Sequence, residues 1–92
     1  MKLPAPWNRV YYTYVLRSQK DGNLYIGFTE NIERRLEDHN DGKVKSTKYR
    51  IPFELVYYEV CRNISDALHR EKYLKTTYGH RYLKNRMKHD NE

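Results

Sequence analysis

Hydrophobic and polar positions alternate along the first third of the chain and then change period. Val10–Arg17 is rich in β-branched and aromatic residues and predicts a strand. Tyr12, Tyr14 and Leu16 share one of its faces, and Tyr11, Thr13 and Val15 the other. Gln19–Asn23 contains Asp21-Gly22, a pair suited to a hairpin turn. Leu24–Phe28 predicts a second strand, with Leu24, Ile26 and Phe28 facing one way and Tyr25 and Gly27 the other. Gly27 inside a strand weakens it and signals close approach of something large. The period then becomes helical. At about 100° per residue, Ile32, Arg35, Leu36 and His39 fall within one arc, while Glu33, Arg34, Glu37 and Asp38 lie outside it. Asn31 is the expected N-cap, with Thr29 as a competitor, and Asp41-Gly42 ends the helix near Asn40.

Beyond this the pattern predicts a loop over Lys43–Pro52 and a third strand over Phe53–Val60. Ser65 is the expected N-cap of a helix from Asp66 to about Tyr78, with Ala67, Leu74 and Tyr78 on its apolar face. Glu71 falls inside that apolar arc. Gly79 reads as a C-cap, followed by a short last helix over His80–Lys88. Met1–Asn8, with Pro4 and Pro6, reads as a lead whose Trp7 packs on the domain edge. The expected order is β-β-α-β-α-α. The expected fold class is α+β, a three-stranded antiparallel sheet flanked by helices, in a single domain over 1–92 with its core at about 9–88.

Composition narrows the partners. The 92 residues carry 18 Lys and Arg against 12 Asp and Glu, a formal charge of +6, so a polyanion is the expected partner. One cysteine, Cys61, allows no internal disulfide and fits a reducing compartment. No run reaches the roughly 18 apolar residues of a membrane span, and MKLPAPWNRV lacks the apolar stretch of a secretory signal. The expectation is a cytoplasmic protein with no membrane partner. Cys61 and the scattered His39, His69, His80 and His89 lack zinc-ligand spacing. Most of the ten tyrosines need no role beyond packing in a sheet.

Glu71 is the sharpest candidate for chemistry. A carboxylate on a buried face must be paired, hydrogen-bonded or on a cation. Its partner is then Arg70, Lys75, a residue across the interface, or a metal ion. Arg35 can snorkel at the margin of its stripe or hold a phosphate, and His39 can pack or take part in proton transfer. Tyr14 and Tyr25, eleven residues apart on the two strands, can converge with Arg35, His39 and Glu71 on one side of the sheet. Such a set suits phosphodiester hydrolysis. Arg35 would neutralise the non-bridging oxygens and a divalent ion on Glu71 the leaving oxygen. With one protein carboxylate, Mg²⁺ would keep several waters. A tyrosine base, with an ordinary pKa of about 10, needs a nearby cation to lower it. Lys43, Lys45, Lys48 and Arg50 in the loop, and Arg81, Lys84, Arg86 and Lys88 near the end, are either phosphate contacts or a solvated charged surface.

These residues resemble the GIY-YIG nuclease domain over roughly Arg9–Lys88, in its small stand-alone bacterial form, related to the N-terminal domain of the excision-repair incision subunit. The second half-motif is intact as Tyr25-Ile26-Gly27. The first stands as Tyr12-Thr13-Tyr14, with its tyrosine kept. Arg35 is similar to the family's catalytic arginine, His39 to a nearby histidine or tyrosine, and Glu71 to the metal-binding glutamate. Asn85 corresponds to an asparagine that some members carry late in the domain. The resemblance implies metal-dependent cutting of one DNA strand, with Mg²⁺ or Mn²⁺ on Glu71. It also implies Tyr14 as general base, Tyr25 orienting water or phosphate, Arg35 on the scissile phosphate, His39 tuning a tyrosine or relaying a proton, and Gly27 giving space. It points to DNA repair or recombination. Without an attached targeting domain, selection by DNA structure is expected over selection by sequence. Two other readings stay open: a non-catalytic nucleic-acid-binding module, and a nuclease subunit dependent on a protein partner.

Overall fold

The computed structural model describes residues 9–90. The lead with Pro4, Pro6 and Trp7 lies outside the described residues. Strand β1 runs over Tyr11–Ser18, β2 over Leu24–Thr29 and helix α1 over Ile32–Asn40. Strand β3 then spans Phe53–Cys61, followed by α2 over Ile64–Leu74 and α3 over Thr77–Arg86. The expected β-β-α-β-α-α order is the observed one. The three strands form one antiparallel sheet in the order β2-β1-β3, so the first strand is the central one.

The hairpin between β1 and β2 turns where Asp21-Gly22 predicts. Gly22 adopts a φ of +73°, which a side chain would oppose. The Ser18 hydroxyl accepts from the amides of Lys20 and Asp21, and Asp21 accepts from Asn23 N–H at 2.8 Å. The Asn31 side chain caps α1 by accepting from Arg34 N–H, while Thr29 bonds to Asn31 outside the helix. Asn40 ties the end of α1 to the start of β3, donating to Phe53 O at 3.0 Å and accepting from Phe53 N at 2.7 Å.

Strand alternation divides the core in two. Tyr14, Leu16 and Phe53 pack under Ile32 and Leu36 of α1. Val15 and Ile26, on the opposite face, pack against Leu74 of α2 and Leu83 of α3. Strict alternation along β3 would put Leu55 and Tyr57 on one face. A bulge opposite Val15/Leu16 instead pairs Leu16 with Leu55 and Val15 with Tyr57, so the two join different cores.

The second half of the chain departs from expectation in its caps. Asn63, not Ser65, caps α2, its side chain accepting from Ser65 N–H at 2.8 Å. The helix expected to reach Tyr78 ends at Leu74. Thr76 then opens α3, accepting from Gly79 N–H at 3.1 Å. Tyr78 therefore lies on α3 and is 70% exposed, whereas Ala67 and Leu74 are buried as expected. Gly79 is not a C-cap but an interior residue of α3, buried against α2. A Cβ there would lie 2.7 Å from the Leu74 carbonyl carbon and closer still to Tyr73 O and Leu74 Cα. The glycine lets the two helices meet backbone to backbone. Among the described residues no helix is long and apolar enough to cross a membrane.

Candidate active site

Tyr14 is the hub of a buried polar run between β1 and α1. Its ring crosses the neighbouring strand over Gly27, its Cα partner in β2, where no side chain obstructs it. The hydroxyl lies 2.9 Å from His39 Nε2 and accepts from Arg35 Nε–H at 3.3 Å. His39 Nδ1 lies 2.8 Å from Thr47 Oγ1. Tyr14, His39 and Thr47 are buried, and Arg35 is intermediate. The Tyr25 ring stands 4.9 Å from that of His39 and 6.4 Å from that of Tyr14. Its hydroxyl makes no hydrogen bond with a described residue.

One assignment of protons satisfies every group. The Thr47 hydroxyl points to Val44 O at 3.4 Å and so accepts from His39 Nδ1–H. Nε2 is then the acceptor for the Tyr14 hydroxyl, whose oxygen takes the Arg35 proton. Burial above all, with the Arg35 charge beside it, holds the His39 imidazolium pKa down to about 4, so the ring is neutral at pH 7. Burial also pushes the Tyr14 hydroxyl above its ordinary pKa. The Arg35 hydrogen bond opposes that shift, while Tyr25 and Glu71 add to it. The cation that a tyrosine base requires is thus in place, but burial outweighs it in the free chain.

Glu71 makes no hydrogen bond with this cluster among the described residues. Its helix packs on the face of the sheet opposite α1, where Ala67 O accepts from Thr13 Oγ1 at 2.7 Å. Its charge is nevertheless felt at the Tyr14 hydroxyl. The Glu71 side chain is 22% exposed and pairs with Lys75 at 3.3 Å, one turn further on. Arg70, the other candidate partner, is held by Glu59 in a two-pronged pair at 2.8 and 2.7 Å. No three His, Cys, Asp or Glu side chains converge among the described residues. A lone carboxylate does not fit an all-protein cage. It does fit Mg²⁺, which takes one or two carboxylates and fills its remaining positions with water and substrate phosphate.

The remaining candidates are dispersed. Asn85 is exposed on α3, with no hydrogen bond to the Tyr14 cluster. Lys43, Lys45 and Lys48 are exposed on the loop after α1, whereas Arg50 folds onto the hairpin and pairs with Asp21 at 2.7 Å. Arg81, Lys84 and Arg86 project from α3 on the other side of the sheet, with Lys88 just beyond. A separate cavity of about 400 Å³ is lined by Tyr12, Ile32, Leu55 and Tyr58, and its Glu30 and Glu33 disfavour phosphate. Thr47 escapes sequence reasoning. It looks like one more polar residue in a basic loop, and its only signal is a hydroxyl eight positions past a candidate histidine.

Comparison with known proteins identifies the family and the fold. The family model for the GIY-YIG catalytic domain matches residues 10–88. The chain is similar to a UPF0213 protein of Bacillus licheniformis, 48% identical over 66 residues that cover 71% of this chain and 67% of the relative. It is also similar to a UPF0213 protein of Staphylococcus saprophyticus, 43% identical over 75 residues that cover 80% and 90%. The solution structure of a UPF0213 protein from Bacillus halodurans matches with a TM-score of 0.51 and 31% identity, over 80% of this chain and 81% of that one.

Proposed function

This chain belongs to the GIY-YIG catalytic-domain family, and from that premise we propose that it is a metal-dependent endonuclease hydrolysing DNA phosphodiester bonds. It selects its substrate by structure more than by sequence, in DNA repair or recombination. The observation that carries this reading is the hydrogen-bonded run Arg35–Tyr14–His39–Thr47. It joins an anion-binding guanidinium, a hydroxyl and a neutral imidazole in one line.

Arg35 holds the scissile phosphate and offsets charge on its non-bridging oxygens. Tyr14 acts as general base without becoming a full phenolate. As its oxygen takes a proton from the attacking water, its own proton passes to His39 Nε2. The phosphate charge at Arg35 offsets the cation that depresses the imidazole, so His39 becomes a better acceptor with substrate bound. Tyr25, whose hydroxyl has no partner among the described residues, orients the water or a phosphate oxygen. Hydroxide attacks phosphorus, the bond to the leaving oxygen breaks, and that oxygen takes a proton from solvent. Glu71 would hold Mg²⁺ or Mn²⁺, which supplies charge stabilisation at the leaving oxygen when bound. Lys75 holds one of the Glu71 oxygens, Oε2, at 3.3 Å and competes with the ion for the carboxylate.

Nicking of supercoiled plasmid tests this reading. Magnesium-dependent, EDTA-sensitive nicking is expected. Glu71→Ala and Arg35→Ala should each abolish it while circular dichroism stays native. Normal cutting by both variants refutes the assignment, and DNA binding without turnover identifies a binding module. The Lys75–Glu71 pair favours one second reading, a nuclease subunit switched on when a partner draws Lys75 away. Added cell extract would then be required for cutting. Flaps, forks, junctions and plain duplex, offered with and without Mg²⁺, rank the substrates.

A further inference from the structure

The loop between α1 and β3 is pinned at both ends, yet it presents an aromatic ring to water. Thr47 is buried and bonded to His39. Arg50 donates to Asp21 and to the carbonyls of Asn23 and Leu24, and its own carbonyl accepts from Ser18 Oγ at 2.5 Å. Between these anchors Lys20 Nζ donates to Tyr49 O at 3.0 Å. The backbone around Tyr49 is therefore fixed, but the residue is 74% exposed, the most of any exposed large hydrophobic among the described residues. Lys48 Nζ stands 4.9 Å from the ring centroid. That cation covers only one face of the ring, and the hydroxyl has no partner among the described residues.

An exposed aromatic on a held loop, beside lysines and one hydrogen bond from the site, matches what a single-stranded nucleic acid needs. Cations track its phosphates while a ring stacks on a base, and such stacking requires an unpaired base whose face is free. In continuous duplex every base face is covered by its neighbours. We propose that Tyr49 is a stacking platform for an unpaired base next to the scissile phosphate, so that the substrate class is DNA with single-stranded or splayed nucleotides. This inference rests on the nuclease reading for the word scissile, but its binding test does not. Tyr78, 70% exposed with Arg81 beside its ring at 5.7 Å, serves as an internal control. It sits on α3, and no bond links it to the His39 cluster.

The test measures fluorescence anisotropy in EDTA, so that nothing is cut. The probes are a labelled thymidine dodecamer, an abasic dodecamer of equal charge, and a duplex. The unaltered chain should bind the thymidine strand about tenfold more tightly than the abasic one, an effect of the size that one stacked base supplies. Tyr49→Ala should erase that difference and leave duplex binding unchanged, while Tyr49→Phe and Tyr78→Ala should keep it. Equal thymidine binding by Tyr49→Ala and the unaltered chain overturns the proposal. So does an equal loss on duplex, or a loss in Tyr78→Ala as large as that in Tyr49→Ala. If the base-dependent difference holds but no probe is cut when Mg²⁺ is added, the nuclease reading fails and the stacking site stands.

Discussion

Replacing Gly27 by alanine tests whether the position of the Tyr14 hydroxyl sets the rate. Gly27 is the Cα partner of Tyr14 in the β1–β2 pairing, and its α hydrogen points under the tyrosine ring. A Cβ built there would lie 2.5 Å from Tyr14 Cζ and closer still to the hydroxyl oxygen. Carbon atoms settle at about 3.5 Å, so the ring must retreat by about 1 Å. It cannot swing into solvent, because Tyr14 is buried and its oxygen is bonded to both His39 and Arg35. The retreat therefore carries the hydroxyl off both partners. A displacement of about 1 Å in a reacting group costs on the order of 100-fold in rate, and overpacking of this kind costs about 1–3 kcal/mol of stability. Single-turnover plasmid nicking in Mg²⁺, beside thermal melting by circular dichroism, reads both quantities. The expected result is a folded variant that nicks about 100-fold more slowly. Nicking at the unaltered rate would show that the hydroxyl does not need its observed place, and the proton path through Tyr14 would be abandoned.

Acid should weaken the fold through His39. Its folded pKa of about 4 lies below the ordinary 6.5, so the unfolded chain binds the proton more readily. Its contribution is intact above about pH 6.5, falls as pH drops towards 4, and totals at most about 3.5 kcal/mol. Urea melts across that range, with His39→Gln as the flattened control, measure it, and an NMR titration of His39 near pH 6.5 would refute it. Gly79→Ala should destabilise by about 2 kcal/mol in urea melts, because the new methyl meets the backbone of Tyr73 and Leu74. Helix propensity alone predicts a gain of about 1 kcal/mol, so a more stable variant would deny the close approach of α3 to α2.

The sheet and its first helix are legible in the sequence because their signals are local. The alternation in β1 and β2, the Asp21-Gly22 turn and the Asn31 cap each lie within a few residues of what they determine. The pairing of Tyr14 with His39 and Arg35 follows once the strand face and the helix arc are both known. Other features depend on partners distant in the chain. Thr47 reaches His39 only because the loop folds back over α1, and neither strand parity nor helix period encodes that turn. The bulge beside Val56 is set by the need to feed Leu55 and Tyr57 into different cores. Gly79 follows a helical stretch and so reads as a stop. The Thr76 hydroxyl three residues earlier was the local signal for a new start, and the burial that explains the glycine comes from a separate helix. Glu71 is readable as an unusual carboxylate on an apolar arc, but the side of the sheet its helix takes is not.

The contact between α2 and α3 has a consequence for the acid it neighbours. Where Gly79 touches Tyr73 and Leu74, the last turn of α2 is gripped by bare main chain, with no pliable side chain to let the two cylinders slide or roll. Glu71 is carried on that gripped end. A larger substituent eight positions further along must push the two backbones apart, and the acid's own turn of helix is the one it would press on.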